Sequence, residues 1–299
     1  MNRSRTAAFL LLATANVFWA GNWVIGRALR AAFEPVALNF WRWVVAAAVL
    51  APFALAGTAA NRALIRRHAG VLFLLALMGV TIFQSLVYLG LRSTTTVNAV
   101  LLNSSAPLFM LLCSWVIERE SATPRQIAGV LISLLGILVI LSRGELGNLL
   151  KLEFHAGDGW ILLAMPVWGV YSVLLKRRPP GLGGLELLFV IAVGGVLMLA
   201  PFYAFESLHT ALALPALPAI AGVLYIGIAA SVFAFVFWNR GVSVVGANAA
   251  GFTLHLLPAF GTVFAIIFLG ESFRLFHAFG IATILTGVAI ATHQTRPRA

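Results

Sequence analysis

The chain is short of charge. Only 10% of its 299 residues are Asp, Glu, Lys or Arg, whereas 61% are hydrophobic, and its mean hydropathy is +1.00. A soluble domain carries about 25% charged residues, so a fold surrounded by water is excluded and lipid must cover part of the surface.

A membrane-spanning helix needs about 20 mostly apolar residues. Ten runs of this kind fit the chain, at residues 7–27, 36–56, 69–91, 97–117, 124–142, 158–176, 184–205, 218–239, 246–269 and 274–293.

Residues and motifs of several functional classes are missing as well. Cys113 is the single cysteine, which excludes an internal disulfide and a multi-thiolate metal site within one chain. There is no Gly-x-x-x-x-Gly-Lys-Ser/Thr loop and no His-Glu-x-x-His motif. The longest connection, residues 143–157, leaves no room for a cytosolic domain. These absences argue against an ATP-driven pump and a membrane-embedded enzyme, and no cofactor or metal is expected. A channel is disfavoured too, because no charged ring or filter-like loop is seen.

Basic residues give the chain a net charge of +11, and their distribution assigns an orientation. If Arg3 and Arg5 stay in the cytoplasm, thirteen Lys and Arg residues lie inside and six lie outside. This excess follows the positive-inside rule, so a nucleic-acid partner is not needed to explain the charge. With ten spans, both termini are expected in the cytoplasm.

The second half of the chain repeats the first. The matched pairs are Trp19 and Trp168, Arg27 and Lys176, Pro107 and Pro258, Glu120 and Glu271, Gly129 and Gly280, and Gly136 and Gly287. The offset is 149 residues at first and 151 past the third span, which indicates two extra residues around the turn between the third and fourth spans. We therefore expect a first repeat at 1–142, a connecting loop at 143–157 and a second repeat at 158–299. Five spans per half, an odd number, place the halves in opposite directions, as in many secondary transporters.

Together with Phe18–Asn22 in the first span and Arg42 in the second, these duplicated residues give the chain a family resemblance. It resembles the ten-span members of the drug/metabolite transporter superfamily that are built from two EamA repeats. Within that superfamily it is most similar to exporters of aromatic and other amino acids. The resemblance implies a basket of ten helices around a central cavity in the inner (plasma) membrane, and export as the direction of transport.

Candidate binding residues are aromatic or polar side chains placed inside the spans. Trp19 and Trp168 lie near mid-span, where they would either pack between helices or form two walls of a cavity suited to apolar side chains and cations. Polar groups at such depth face protein or water, so their alternative role is interhelical hydrogen bonding. The predicted substrate-binding residues are Trp19, Asn22, Gln84, Tyr88, Asn103, Ser104, Trp168, Tyr171 and His255.

Three further features leave alternatives open. Pro107 and Pro258 would form either static kinks or a pair of hinges, because each removes a backbone donor. His255, the one titratable group deep in a span, would be a neutral packing residue, a substrate contact or a proton-sensitive switch. Arg42 would either extend its head group to the membrane surface or face the cavity and attract a carboxylate, with Glu34 as a candidate partner.

The function expected from these features is export of amino acids, aromatic ones included, and related small metabolites. A multidrug exporter of aromatic cations is the alternative, disfavoured because no carboxylate lies in the middle of a span. The same lack favours facilitated export over tight proton antiport. One chain already contains both halves, so a monomer suffices, although the glycine pairs Gly129/Gly136 and Gly280/Gly287 would suit packing either between the fifth and tenth spans or between two subunits.

Overall fold

In the computed structural model the described residues are 3–151, 153–209, 216–269 and 274–292, and every regular element among them is helical. The α-helices are α1 (Arg3–Leu29), α2 (Pro35–Ala60), α3 (Arg62–Arg67), α4 (Ala69–Ala76), α5 (Phe83–Ser93), α6 (Thr96–Asn103), α7 (Ala106–Glu118), α8 (Pro124–Leu141), α9 (Ala156–Leu174), α10 (Gly184–His209), α11 (Leu217–Tyr225), α12 (Ala234–Val245), α13 (Ala247–Phe252), α14 (Leu256–Leu269) and α15 (Leu275–Thr292). Short 3₁₀ helices cover Leu146–Lys151, Leu175–Arg177 and Thr253–His255, and π-helical segments cover Leu77–Ile82 and Ile226–Phe233.

Nine helical stretches of the described chain are long and apolar enough to cross a membrane. They coincide with nine of the ten predicted spans. The remaining prediction, residues 246–269, is a broken span made of α13, the 3₁₀ turn and α14. The fourth span is interrupted in a similar way at Ser104 and Ser105, between α6 and α7. Both interruptions fall at matching places in the two halves, because Ser104 and His255 are 151 residues apart. Glu271, the expected counterpart of Glu120, lies outside the described residues.

Each half also has one π-helical segment in the middle of a span. The first begins at Leu77 and the second at Ile226, an offset of 149; they end at Ile82 and Phe233, an offset of 151. The two extra residues of the second half therefore lie inside the eighth span. The expectation that they lie at the turn between the third and fourth spans was wrong.

The fifth and tenth spans pack against each other through the paired glycines. A methyl group built on Gly136 would come within 2.6 Å of the backbone oxygen of Gly280, and one on Gly129 within 2.6 Å of the oxygen of Gly287. Only glycine permits so close an approach of two helix backbones. The first of the two predicted roles, packing between these spans, is confirmed.

Polar contacts at the span ends join α9 to neighbouring segments of the third, fourth and fifth spans, at Thr94, Asn98, Glu118 and Glu120. Lys176 pairs with Glu120 and Arg177 with Glu118, which joins the end of α9 to the end of α7. The buried carboxylate of Asp158 accepts hydrogen bonds from Thr94, Asn98 and the backbone N–H of His155 at the start of α9. The buried faces of α1, α5, α9 and α12 meet in one aromatic core.

Candidate functional site

Three tryptophans from three spans meet at the centre of the protein. Trp19 of α1 and Trp168 of α9 contact edge to face with ring centroids 5.2 Å apart, and Trp238 of α12 lies 5.3 Å from each. Trp19 and Trp168 are only 6% and 3% exposed. The indole N–H of Trp19 donates to the carbonyl of Ala230, within the second π segment, at 3.0 Å. Edge-to-face packing is a favourable aromatic geometry, so this cluster forms a well-defined wall.

Beside this cluster is a cavity of about 30 Å³. This volume is enough for about one or two water molecules, so the lining side chains are closed around the cavity in this structure. Its lining residues come from the first, third, fourth, sixth and ninth spans: Trp19, Asn22, Trp23, Phe83, Gln84, Val87, Asn103, Trp168, Leu254 and Leu257. Two lining groups, the side-chain NH₂ of Asn103 and the indole N–H of Trp168, are buried with no hydrogen-bond acceptor among the described residues. The wall is therefore aromatic and aliphatic, with a small number of polar donors.

Arg42 of α2 lies at the centre of a polar network behind the cavity wall. Its Nε donates to Ser231 Oγ at 2.8 Å, and one terminal nitrogen, Nη1, donates to Gln84 Oε1 and Tyr88 Oη, each at 2.8 Å. The other terminal nitrogen, Nη2, has a long contact of 3.4 Å to the carbonyl of Ala230. The side chain is completely buried.

This placement overturns two expectations about Arg42. The guanidinium does not extend to the membrane surface, because neutral acceptors from the first, third and eighth spans surround it. Glu34 is not its partner, since Glu34 pairs with Arg92. Such a polar cage inside the protein supplies the hydrogen bonds that the arginine would otherwise seek at the surface.

A tyrosine–asparagine hydrogen bond occurs once in each half. Tyr88 donates to Asn22 Oδ1 at 3.0 Å, and Tyr171 donates to Asn239 Oδ1 at 2.9 Å. The repeat offsets match Asn22 with Tyr171 and Tyr88 with Asn239, so the same bond is made with donor and acceptor exchanged between spans. Neither tyrosine lines the cavity, but Tyr88 holds Asn22, which does.

His255 and Ser104 join the two interrupted spans. His255 Nε2 lies 3.0 Å from the backbone oxygen of Ser104, and His255 is fully buried. An N–H at Nε2 donates to this carbonyl, which both the neutral tautomer protonated at Nε2 and the charged ring can do. This hydrogen bond connects the fourth span to the ninth. Neither residue lines the cavity, although their chain neighbours Asn103 and Leu254 do.

The prolines follow these interruptions and do not lie inside a continuous helix. Pro107 is the second residue of α7, and Pro258 is the third residue of α14. Proline is well tolerated in the first turn of a helix, where its missing N–H would have no helical acceptor. The backbone breaks are thus at Ser104–Ser105 and Thr253–His255, just before each proline.

Several residues of the site had not been singled out from the sequence. Phe235, Trp238 and Asn239 of α12 complete the aromatic core and the second tyrosine pair. The repeat could have identified two of them, because the 151-residue offset matches Asn239 with Tyr88 and Phe235 with Gln84, both of which were predicted to bind substrate. Within the described part of the chain, no three His, Cys, Asp or Glu side chains come together as a candidate metal site.

Comparison with known proteins identifies relatives over nearly the whole chain. The EamA-like transporter family pattern matches twice, at residues 6–142 and 155–292. An uncharacterized transporter of Archaeoglobus fulgidus is 29% identical over 95% of this chain and 96% of its own length. The uncharacterized transporter YyaM of Bacillus subtilis is 22% identical over 96% of this chain and 94% of its own length.

One relative has a name that includes a substrate, and one solved structure has the same fold. A probable terminal-alkyne amino-acid exporter of Streptantibioticus cattleyicolor is 27% identical over 74% of this chain and 72% of its own length. A crystal structure of a protein that is 21% identical superposes with a TM-score of 0.73 and covers 96% of both chains. None of these relatives is named for aromatic amino acids, so the expected similarity to aromatic amino-acid exporters gains no support from them.

Proposed function

The chain belongs to the EamA-like transporter family, and on this premise we propose that it exports amino acids, aromatic ones included, and related small metabolites. It is a multi-pass membrane protein, as the apolar helices and the transporter relatives indicate. We place it in the inner membrane with both termini in the cytoplasm, because the basic residues are concentrated in the connections assigned to that side.

The observation that carries this proposal is the central cavity. Its walls at Trp19, Trp168 and Phe83 offer apolar ring surface for a side chain, while Asn22, Gln84 and Asn103 offer amide groups for a polar head. An amino acid has both parts. The amino-acid exporter among the relatives supports the same substrate class.

Alternating access follows from the two halves. Substrate would bind near the midplane between inverted repeats, which open in turn to the two sides. The interrupted fourth and ninth spans are the natural places for movement, because each has a break in matching position, next to a cavity-lining residue. We therefore retain Pro107 and Pro258 as the hinge residues of the two halves.

Flux of labelled tryptophan, phenylalanine and methionine into proteoliposomes tests this function. We expect all three to equilibrate across the bilayer at a rate that does not depend on an imposed pH gradient, because the described spans have no mid-span carboxylate to carry a proton. Protein-free liposomes provide the control. Accumulation driven by the gradient would contradict facilitated transport, and no flux of any of the three would contradict the amino-acid assignment.

The same assay tests the hinges. Pro107→Ala and Pro258→Ala should each lower turnover several-fold at unchanged expression, because an alanine allows the helix to continue into the preceding break. Pro52→Ala and Pro201→Ala are the matched controls. These two prolines match each other at the 149-residue offset, but they lie inside α2 and α10 and do not line the cavity. Wild-type turnover in both hinge variants would show that the kinks are static.

A further inference from the structure

The charge of Arg42 is not balanced within the described structure. Arg92 pairs with Glu34, Lys176 with Glu120 and Arg177 with Glu118, and Arg42 belongs to none of these ion pairs of the described structure. A buried charge is normally paired with an opposite charge, because neutral hydrogen bonds alone do not recover its hydration. The carboxylate of Asp158, also buried, is used by Thr94 and Asn98. The cage around Arg42 is therefore both electropositive and without a counterion of its own.

Arg42 also determines which way two cavity-lining amides point. A guanidinium has donors only, so Gln84 and Asn22 must turn their oxygens toward it, and the observed contacts are Nη1 to Gln84 Oε1 at 2.8 Å and to Asn22 Oδ1 at 3.4 Å. Tyr88 reinforces this orientation by donating to the same oxygen of Asn22. The NH₂ groups of both amides are then left for the cavity that these residues line.

Donors predominate around the cavity as a consequence. Besides these two NH₂ groups, the NH₂ of Asn103 and the indole N–H of Trp168 are buried there without an acceptor among the described residues. Asn103 is 5% exposed and Trp168 is 3% exposed, so bulk water does not satisfy them. Four neutral donors in front of a buried positive charge would bind a group that only accepts hydrogen bonds and is negatively charged.

We propose that Arg42 makes the central cavity a carboxylate-binding site, so that transported substrates carry a carboxylate and lipophilic cations are rejected. Arg42 does not contact the substrate. Its guanidinium contributes its positive charge and orients Gln84 and Asn22, and the carboxylate of the substrate accepts hydrogen bonds from the amide NH₂ groups. This inference rests on the proposed transport function and specifies the substrate group that the cavity recognises.

The test is binding of four matched probes to the purified wild-type protein in detergent, measured by calorimetry. They are phenylalanine, its methyl ester, 3-phenylpropanoate and 2-phenylethylamine, which share an aromatic ring and differ in carboxylate and amine. We expect the two carboxylates to bind about 10- to 100-fold more tightly than the ester and the amine, since hydrogen bonds to a charged group have this effect on affinity. Because this comparison uses the wild-type protein, it does not depend on whether an Arg42 variant folds.

A charge-switch variant then tests Arg42 directly. Gln84→Glu keeps the shape of the side chain but places a carboxylate 2.8 Å from Nη1, so it should remove the preference for carboxylate probes. Arg240→Gln, which removes an exposed arginine on α12, is the matched control and should retain the preference.

The outcomes separate this inference from the proposed function. Equal affinity for phenylalanine and its ester would overturn the inference and leave amino-acid transport standing. Binding of 3-phenylpropanoate alone would support the carboxylate site and overturn the amino-acid assignment. Tightest binding of 2-phenylethylamine would overturn the inference in favour of an aromatic-cation exporter, and no binding of any probe would overturn both.

Discussion

Trp168→Ala should lower amino-acid flux by about 100-fold or more, because it removes one wall of the cavity and the partner of Trp19 at once. The indole of Trp168 contacts Trp19, Phe83 and Trp238 with centroid distances of 5.2, 4.7 and 5.3 Å. Its loss leaves a void into which these rings can move, so a substrate would meet a wider and poorly defined site. Flux of labelled phenylalanine into proteoliposomes measures the effect.

Two companion variants separate this role from a general loss of stability. Trp160→Ala, on the same helix but 42% exposed, should transport like the wild type. Trp168→Phe keeps an aromatic ring but removes the second ring of the indole together with its N–H, so its flux should lie between those of Trp168→Ala and Trp160→Ala. If Trp168→Ala gave a folded protein with wild-type flux, Trp168 would be a packing residue and the aromatic-wall interpretation would be wrong.

Gly136→Val should have the largest effect on stability, a loss of about 3 kcal/mol of unfolding free energy, at the upper end for overpacking. The new Cβ would lie 2.6 Å from the backbone oxygen of Gly280 and 2.8 Å from the backbone nitrogen of Ile284. Since both are backbone atoms, no side-chain rotation relieves the clash and α15 must move away from α8. Thermal unfolding of the purified protein in detergent, followed by size-exclusion chromatography, measures the loss.

Gly70→Val is the matched control for this substitution. Gly70 is an exposed helical glycine, and a methyl group built on it meets no atom within 4 Å. It makes the same chemical change without the clash and should unfold near the wild-type temperature. Equal unfolding temperatures for the two variants would mean that the α8–α15 contact is not close in the membrane protein.

Two kinds of residue could be assigned to the site or to helix packing from the sequence: residues that are costly to place in lipid, and residues that occur at matching positions of the repeat. Trp19 and Trp168 could be identified because both are mid-span aromatic residues at matching positions, and both line the cavity. The glycine pairs predicted a close helix contact because small residues two turns apart leave one smooth face. Asn22, Gln84 and Asn103 were recognisable as polar groups placed too deep to face lipid.

Arg42 shows what could not be predicted. Its position six residues from a span end suited an extended side chain, and only the folded arrangement brings Ser231 from the eighth span to its Nε. That acceptor lies 189 residues away in the chain, and no local pattern connects them. For the same reason Tyr88, Tyr171, Ser104 and His255 were predicted to bind substrate, whereas in the structure they make hydrogen bonds between spans and do not line the cavity.

The interruptions of the fourth and ninth spans could likewise be predicted only in part from the sequence. Pro107 and Pro258 suggested a disturbance in the right region, but the helical breaks precede them. A proline restricts the backbone of the residue that precedes it. The sequence therefore marks the proline, whereas the helical break lies a few residues before it. The Ser104–His255 hydrogen bond then depends on both halves being folded together.

The π segment of the eighth span has a further consequence, for how the two halves diverged. Two residues inserted into an ordinary α-helix would rotate everything beyond them by about 200°. Phe235 and Trp238 would then point away from Trp19, yet both contact it. If the halves descend from one duplicated unit, this length change occurred within a membrane-buried helix. The third and eighth spans would thus preserve a length difference that arose after the duplication.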